Sequence, residues 1–146
     1  LYEVLKKRGV KFEFFSKVED IGLTADGTAV DHVQIGVQAT VKGGGEYQPL
    51  FDVKGLPSWP AQPFYDQLVE GDQMQGKDYD LESWWTPWAP VATKTLKAGV
   101  DFDVVVFALS IGAVPFVASQ LTAKSPRWAA MVAGLPTVQT QAMQIW

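Results

Sequence analysis

The stretch Asp101-Phe-Asp-Val-Val-Val-Phe-Ala-Leu-Ser-Ile-Gly-Ala-Val-Pro115 constrains the fold more than any other part of the chain. Val104 to Leu109 is an apolar run led by β-branched residues, the pattern of a strand buried on both faces in a parallel sheet. The run breaks at Ser110, Ile111 and Gly112. Pro115 then suits the first turn of a helix, where a missing N–H costs little. A buried strand, a glycine-containing turn and a helix start make the edge at which open α/β sheets hold ligands. The pattern predicts a strand over 104–109 and a helix from near Pro115 to near Leu121.

Upstream, Leu1 to Arg8 reads as the last two turns of a helix. Lys6, Lys7 and Arg8 complement its C-terminal dipole, and Gly9 fits the C′ position. Val10 to Phe15 reads as a strand, with Val10, Phe12 and Phe14 on one face. Lys17–Thr24 and Ala29–Gly36 are strand-like runs on either side of Asp26-Gly27, a pair that suits a type I′ hairpin turn. Val18, Ile21, Leu23, Val30, Val33 and Ile35 supply the apolar positions of this small antiparallel meander. Gly43, Gly44 and Gly45 read as a flexible loop tip.

From Leu56 to Pro90 the composition shifts. Prolines 57, 60, 63, 87 and 90 alternate with Trp59, Phe64, Tyr65, Tyr79, Trp84, Trp85 and Trp88, which disfavours continuous helix. A short helix is expected over Phe64–Glu70. A strand is expected over 78–85, with Asp78, Asp80 and Glu82 on one face. Ser125-Pro126 is an N-cap and N1 pair, Arg127–Ala133 a short helix, and Gly134 its stop, with Pro136 beyond. Val138 to Trp146 reads as a strand interrupted by Gln139, Gln141 and Gln144.

A chain of 146 residues, 47% hydrophobic and 19% charged, is long enough for a sizeable core and is not of disordered composition. Its net charge is −4 with the basic residues dispersed, which argues against a nucleic-acid surface. It has no cysteine, so disulfides, thiolate catalysis and Cys-based zinc sites are excluded. The longest apolar stretch, Val104 to Ala118, is too short and too punctuated for a membrane span. Cytoplasmic residence is the expectation. Helix at the first residue and strand at the last lead us to expect an excised piece of a longer chain.

Taken in order, helix end, strand, meander, aromatic insertion, buried strand and helix, the sequence resembles the middle of an FAD-dependent oxidoreductase of the amine oxidase and phytoene desaturase type. Three stretches carry the likeness. Lys7 to Val18 resembles the strand preceding an adenine contact, and Asp20 to Ile35 the hairpin that follows it. Asp101 to Gly112 resembles the return of the chain from the substrate domain into the FAD domain. The resemblance implies an α+β fold that is part of a split FAD-binding α/β domain with an inserted substrate subdomain. It implies FAD-domain pieces at 1–36 and 99–124, a substrate subdomain at 37–98 and a substrate-side helix and strand at 125–146. It also implies that Val18 contacts adenine through its backbone and that Ala108 and Ser110 pass the dinucleotide. The G-x-G-x-x-G motif of such enzymes, which receives the pyrophosphate, does not occur in this chain. The isolated chain is therefore expected to lack most of the flavin site and to hold no FAD, while the parent enzyme would remove hydride from an organic substrate.

Other residues are weighed against plainer roles. His32, the one histidine, falls mid-strand and is read as a packing or surface residue. Asp78, Asp80 and Glu82 could serve acid–base or Ca²⁺ chemistry, but a solvated strand face is the simpler reading. Trp84, Trp85 and Trp88 are candidate walls for a substrate, set against subdomain packing. No catalytic residue and no metal ligand is assigned. The expected partners are a small-molecule substrate, the remainder of the parent chain and, for the isolated piece, a second copy of itself. A stand-alone module with an aromatic platform for carbohydrate or another stacked ligand is the alternative function.

Overall fold

A computed structural model of the chain describes residues 1–77 and 79–143. The fold is mixed α+β, with short helices and two antiparallel sheets. The chain divides into two compact units, residues 1–17 with 36–93 and residues 18–35 with 94–146.

The first unit opens on α1 (Tyr2–Lys7). It ends as expected at a glycine: Gly9 takes φ +89°, its N–H donates to the Lys6 carbonyl, and the Val10 N–H donates to the Leu5 carbonyl. That pair of bonds is a Schellman cap. The expected strand over Val10–Phe15 does not form. Phe15 sits at φ +55°, a left-handed conformation that an aromatic residue rarely adopts. This reverses the alternation of faces, and regular pairing starts only at Ser16. A β-hairpin that the glycine loop concealed follows: β3 (Phe51–Val53) and β4 (Leu56–Ser58) pair antiparallel through Lys54-Gly55. Both turn residues have positive φ, as a two-residue type I′ loop requires.

The core of this unit is Ala39, Tyr47, Leu68 and Met74, packed by Phe14, Phe15, Val41, Phe64, Tyr65, Tyr79, Leu81 and Trp88. In place of the expected helix over 64–70 there is a single 3-10 turn, Tyr65–Gln67, then α2 (Gly71–Met74). Gly71 is where the chain doubles back, and a Cβ there would overlap the Tyr65 carbonyl. The expected strand over 78–85 does not form either. Asp78 lies outside the described residues, and the remainder is a series of turns in which Asp80 Oδ1 accepts from the Glu82 N–H at 3.0 Å. A carboxylate that bonds its own backbone two residues on makes a turn and forfeits the ladder.

β1 (Ser16–Leu23), β2 (Val30–Val37) and β5 (Ala92–Lys97) make a three-stranded antiparallel sheet in the order β1-β2-β5. The hairpin joining β1 and β2 is the expected one, with a different turn. Only Gly27 takes positive φ; Asp26 does not, so the turn is not type I′. The Gly27 N–H donates to the Thr24 carbonyl, and the Asp26 carboxylate receives the Thr24 and Thr28 hydroxyls and the Thr28 N–H. In the second unit Ile21, Val33 and Ile35 are buried and face inward. Gly22 is buried too, because the His32 ring lies over it; His32 is thus a packing residue, bonded through Nδ1 to Asp31 at 2.9 Å. α3 (Val114–Val117) begins with Pro115 in its first turn, as expected, but Ala118 breaks it at φ −144°. α4 (Ser119–Lys124) then runs to the hairpin, where Gln120 Oε1 accepts from the Leu23 N–H and Lys124 Nζ donates to the Thr24 and Ala25 carbonyls. α5 (Pro126–Gly134) starts at the Ser125 cap, whose Oγ accepts from the Trp128 N–H, and continues through Gly134 without the expected left-handed stop.

The largest departure concerns Val104–Leu109. Residues 97–102 form a tight turn about Gly99, and the chain beyond is extended but belongs to no sheet. Val104 is 78% and Val106 84% exposed. A β-branched run becomes a strand only where a neighbour completes its hydrogen bonds, and among the described residues none does. Residues 138–143 are likewise exposed and not a strand, while Gln144 lies outside the described residues. Among the described residues no helix is long and apolar enough to cross a membrane.

Two measurements check this packing. Gly22→Ala pushes a Cβ into the His32 imidazole and should lower unfolding stability by about 1–3 kcal/mol, with His32→Ala in the same chain recovering part of the loss in urea denaturation. The bonds to Asp26 hold its carboxyl below the usual carboxylate range, hydroxyl of Thr24 first. A depressed folded pKa contributes stability above the unfolded value that is lost as pH falls through the folded one. Protection of the Thr28 amide relative to its intrinsic exchange rate should therefore fall in acid, and Asp26→Ala should abolish that acid step.

Candidate functional site

The first unit holds a cleft of about 440 Å³. Its walls come from three segments that the sequence separates widely. Phe14 and Phe15 arrive from the kink before β1; Tyr65 and Pro63 from the proline-rich turn; Tyr79, Asp80, Leu81 and Glu82 from the turns after α2. Gln38, at the end of β2 and only 4% exposed, closes the floor. A smaller cleft of about 240 Å³ shares Phe14, Phe15, Pro63 and Glu82 and adds Tyr47 and Trp59.

The local bonding explains why these rings are held. Gln38 binds three segments: its N–H donates to the Phe15 carbonyl at 2.7 Å, its carbonyl accepts from Trp88 Nε1 at 2.7 Å, and its side-chain amide donates to the Leu81 carbonyl at 2.9 Å. Tyr47 stacks edge-on to Phe15, with ring centroids 4.9 Å apart, and lies 5.3 Å from Phe14. Its hydroxyl accepts from the Phe64 N–H at 2.9 Å. Burial pushes the Tyr47 phenol above its ordinary value, and the Phe64 bond only partly offsets that, so the group stays neutral.

The three tryptophans singled out from sequence are not gathered at this cleft. Trp88 is a packing residue: it joins the core, lies 5.4 Å from Tyr79 and spends its indole N–H on Gln38. Trp84 lies under Lys17, whose Nζ is 4.4 Å from the ring centre and donates to the Trp84 carbonyl at 3.2 Å. Trp85 is 76% exposed. Asp80 and Glu82, set aside as a solvated strand face, do line the cleft, from a turn. Phe14, Phe15, Tyr65 and Gln38 were missed. The phenylalanines looked like strand residues of opposite faces, and only the positive φ of Phe15 brings both to one surface.

The positions tied to a dinucleotide lie in the second unit. Val18 is a half-buried residue of β1. Ala108 is exposed in the extended run, and Ser110 caps a 3-10 turn (Ile111–Ala113), its Oγ accepting from the Gly112 N–H at 3.4 Å. Among the described residues no cluster of His, Cys, Asp or Glu is spaced to hold a metal ion. Comparison of the chain with known protein families, with curated proteins and with solved structures found no match.

The different placements of the tryptophans can be read out directly. Trp88→Phe removes the indole bond and leaves the Gln38 carbonyl without it, which should cost about 1–3 kcal/mol. Trp85→Ala, at a position 76% exposed, should cost less than Trp88→Phe. Denaturant midpoints for the two variants check the contrast.

Proposed function

We propose that the chain is the central segment of a flavin-dependent dehydrogenase or oxidase acting on an organic substrate, inactive when isolated from the rest of its enzyme. The observation that carries this reading is the run Val104–Leu109. Such a run suits a sheet covered by helices on both faces; here Val104 and Val106 are exposed while Val105 and Phe107 are half-buried, and the run leads into a turn and helices as a dinucleotide-domain strand would. The hairpin of β1 and β2, with Val18 in its first strand, and an aromatic cleft lined mostly by residues within 37–98 support the same assignment.

The fit of the residues to FAD is partial. The chain has no G-x-G-x-x-G, its helices after Ser110 are short, and the Ser110 hydroxyl is engaged within its own turn. The described residues do not make a pyrophosphate cradle, and no step through the flavin is drawn from them. Val18, Ala108 and Ser110 would at most border the cofactor. In enzymes of this type the flavin accepts the hydride, and the protein supplies binding and orientation. The substrate-facing contribution of this chain would be the cleft walled by Phe14, Phe15, Tyr65 and Tyr79, in place of the tryptophans. Cytoplasmic residence of the parent enzyme is part of this proposal and is consistent with a chain free of cysteine.

A second reading, a stand-alone aromatic binding module, is favoured by the cleft alone, because it is built entirely within the first unit. Two experiments separate them. The reading frame before Leu1 should encode a G-x-G-x-x-G; a start codon directly before Leu1 rules out the segment reading. The purified chain should show no flavin absorbance while the parent enzyme does. Stoichiometric FAD on the isolated chain would overturn the proposal.

A further inference from the structure

The main cleft of the first unit has the chemistry of a cation site. Phe14, Phe15, Tyr65 and Tyr79 contribute four rings to its lining, and Asp80 and Glu82 two carboxylates; among the described residues no Lys, Arg or His lines it. Gln38 supplies a further acceptor. Its side-chain nitrogen is committed to the Leu81 carbonyl, and its Oε1 has no donor among the described residues. Asp80 Oδ1 accepts from the Glu82 N–H, which fixes the two acids on one turn. Lys17 is held against the face of Trp84 and is not among the lining residues.

Ring faces carry negative quadrupole potential and attract cations, most strongly where the cation is only weakly hydrated. An anion would meet two carboxylates with no compensating charge. A primary ammonium needs several strong acceptors converging on it, whereas here the two acids sit together on one turn and four of the eleven lining residues are aromatic. An alkylated ammonium matches both parts: methyl groups against the rings, and net charge toward the acids. We propose that this cleft binds an alkylated ammonium group, of the kind carried by choline or a trimethylated lysine. The proposal does not depend on the flavin reading.

The test is calorimetric titration of the full chain with choline, with its neutral isostere 3,3-dimethyl-1-butanol, and with glucose. Choline should saturate the site and the isostere should bind at least about tenfold more weakly. Glu82→Gln should weaken choline by about threefold or more without touching the core, and Tyr79→Phe should keep binding while Tyr79→Leu loses it. Because Tyr79 packs on the core, Glu82→Gln is the decisive variant should Tyr79→Leu fail to fold. Equal binding of choline and its isostere would overturn the proposal, as would saturation by glucose alone, absence of choline binding, or choline binding indifferent to Glu82→Gln.

Discussion

The backbone and side chain of Gln38 hold the first unit together. One residue at the end of β2 receives Trp88, donates to Phe15 and donates again to Leu81, so a strand, a kinked lead-in and a series of turns meet on a single buried amide. The turns after α2 have no regular structure of their own, and their internal bonds reach only two or three residues along the chain. Their position follows from these contacts and from the rings of Tyr79 and Trp88 lying on the core. A buried polar group is costly unless satisfied, and here its satisfaction fixes the walls of the cleft. The strain at Phe15 belongs to the same arrangement, since its left-handed backbone presents the carbonyl that Gln38 binds.

The second unit relies on a different constraint, close approach across β1 and β2. His32 covers Gly22 and leaves no space for a side chain there. The hairpin turn is fixed from both sides, by the Asp26 carboxylate within it and by the Lys124 ammonium reaching the Thr24 and Ala25 carbonyls from α4. Lys124 acts on this turn as a capping cation acts on a helix end, satisfying carbonyls that would otherwise face solvent.

Local punctuation was legible in the sequence. The Gly9 cap, the Asp26-Gly27 hairpin, the Ser125-Pro126 helix start and Pro115 in a first turn each depend on residues within a few positions, so composition alone announces them. What failed were elements whose fate depends on distant partners. Val104–Leu109 has every intrinsic preference of a strand and lacks a neighbour to pair with. The stretch 78–85 alternates like a strand, but Asp80 closes a turn on itself. The hairpin at Lys54-Gly55 was hidden because Lys is an unusual residue for a left-handed position and Pro57 argues against a strand; an edge strand tolerates it. The cleft was half legible: its acids and the aromatic richness of its surroundings were visible. Its floor was not, because nothing in the sequence marks Gln38 as buried.

The exposed run has a consequence for the behaviour of the molecule in solution. Val104–Leu109 is a six-residue window without charge or proline, rich in β-branched residues, with Val104, Val106 and Leu109 exposed. Such windows template in-register stacking between identical chains. Asp101 and Asp103 stand immediately before it and act as gatekeepers, since stacked copies would align their carboxylates. Electrostatic repulsion between those carboxylates opposes such stacking, and added salt screens it.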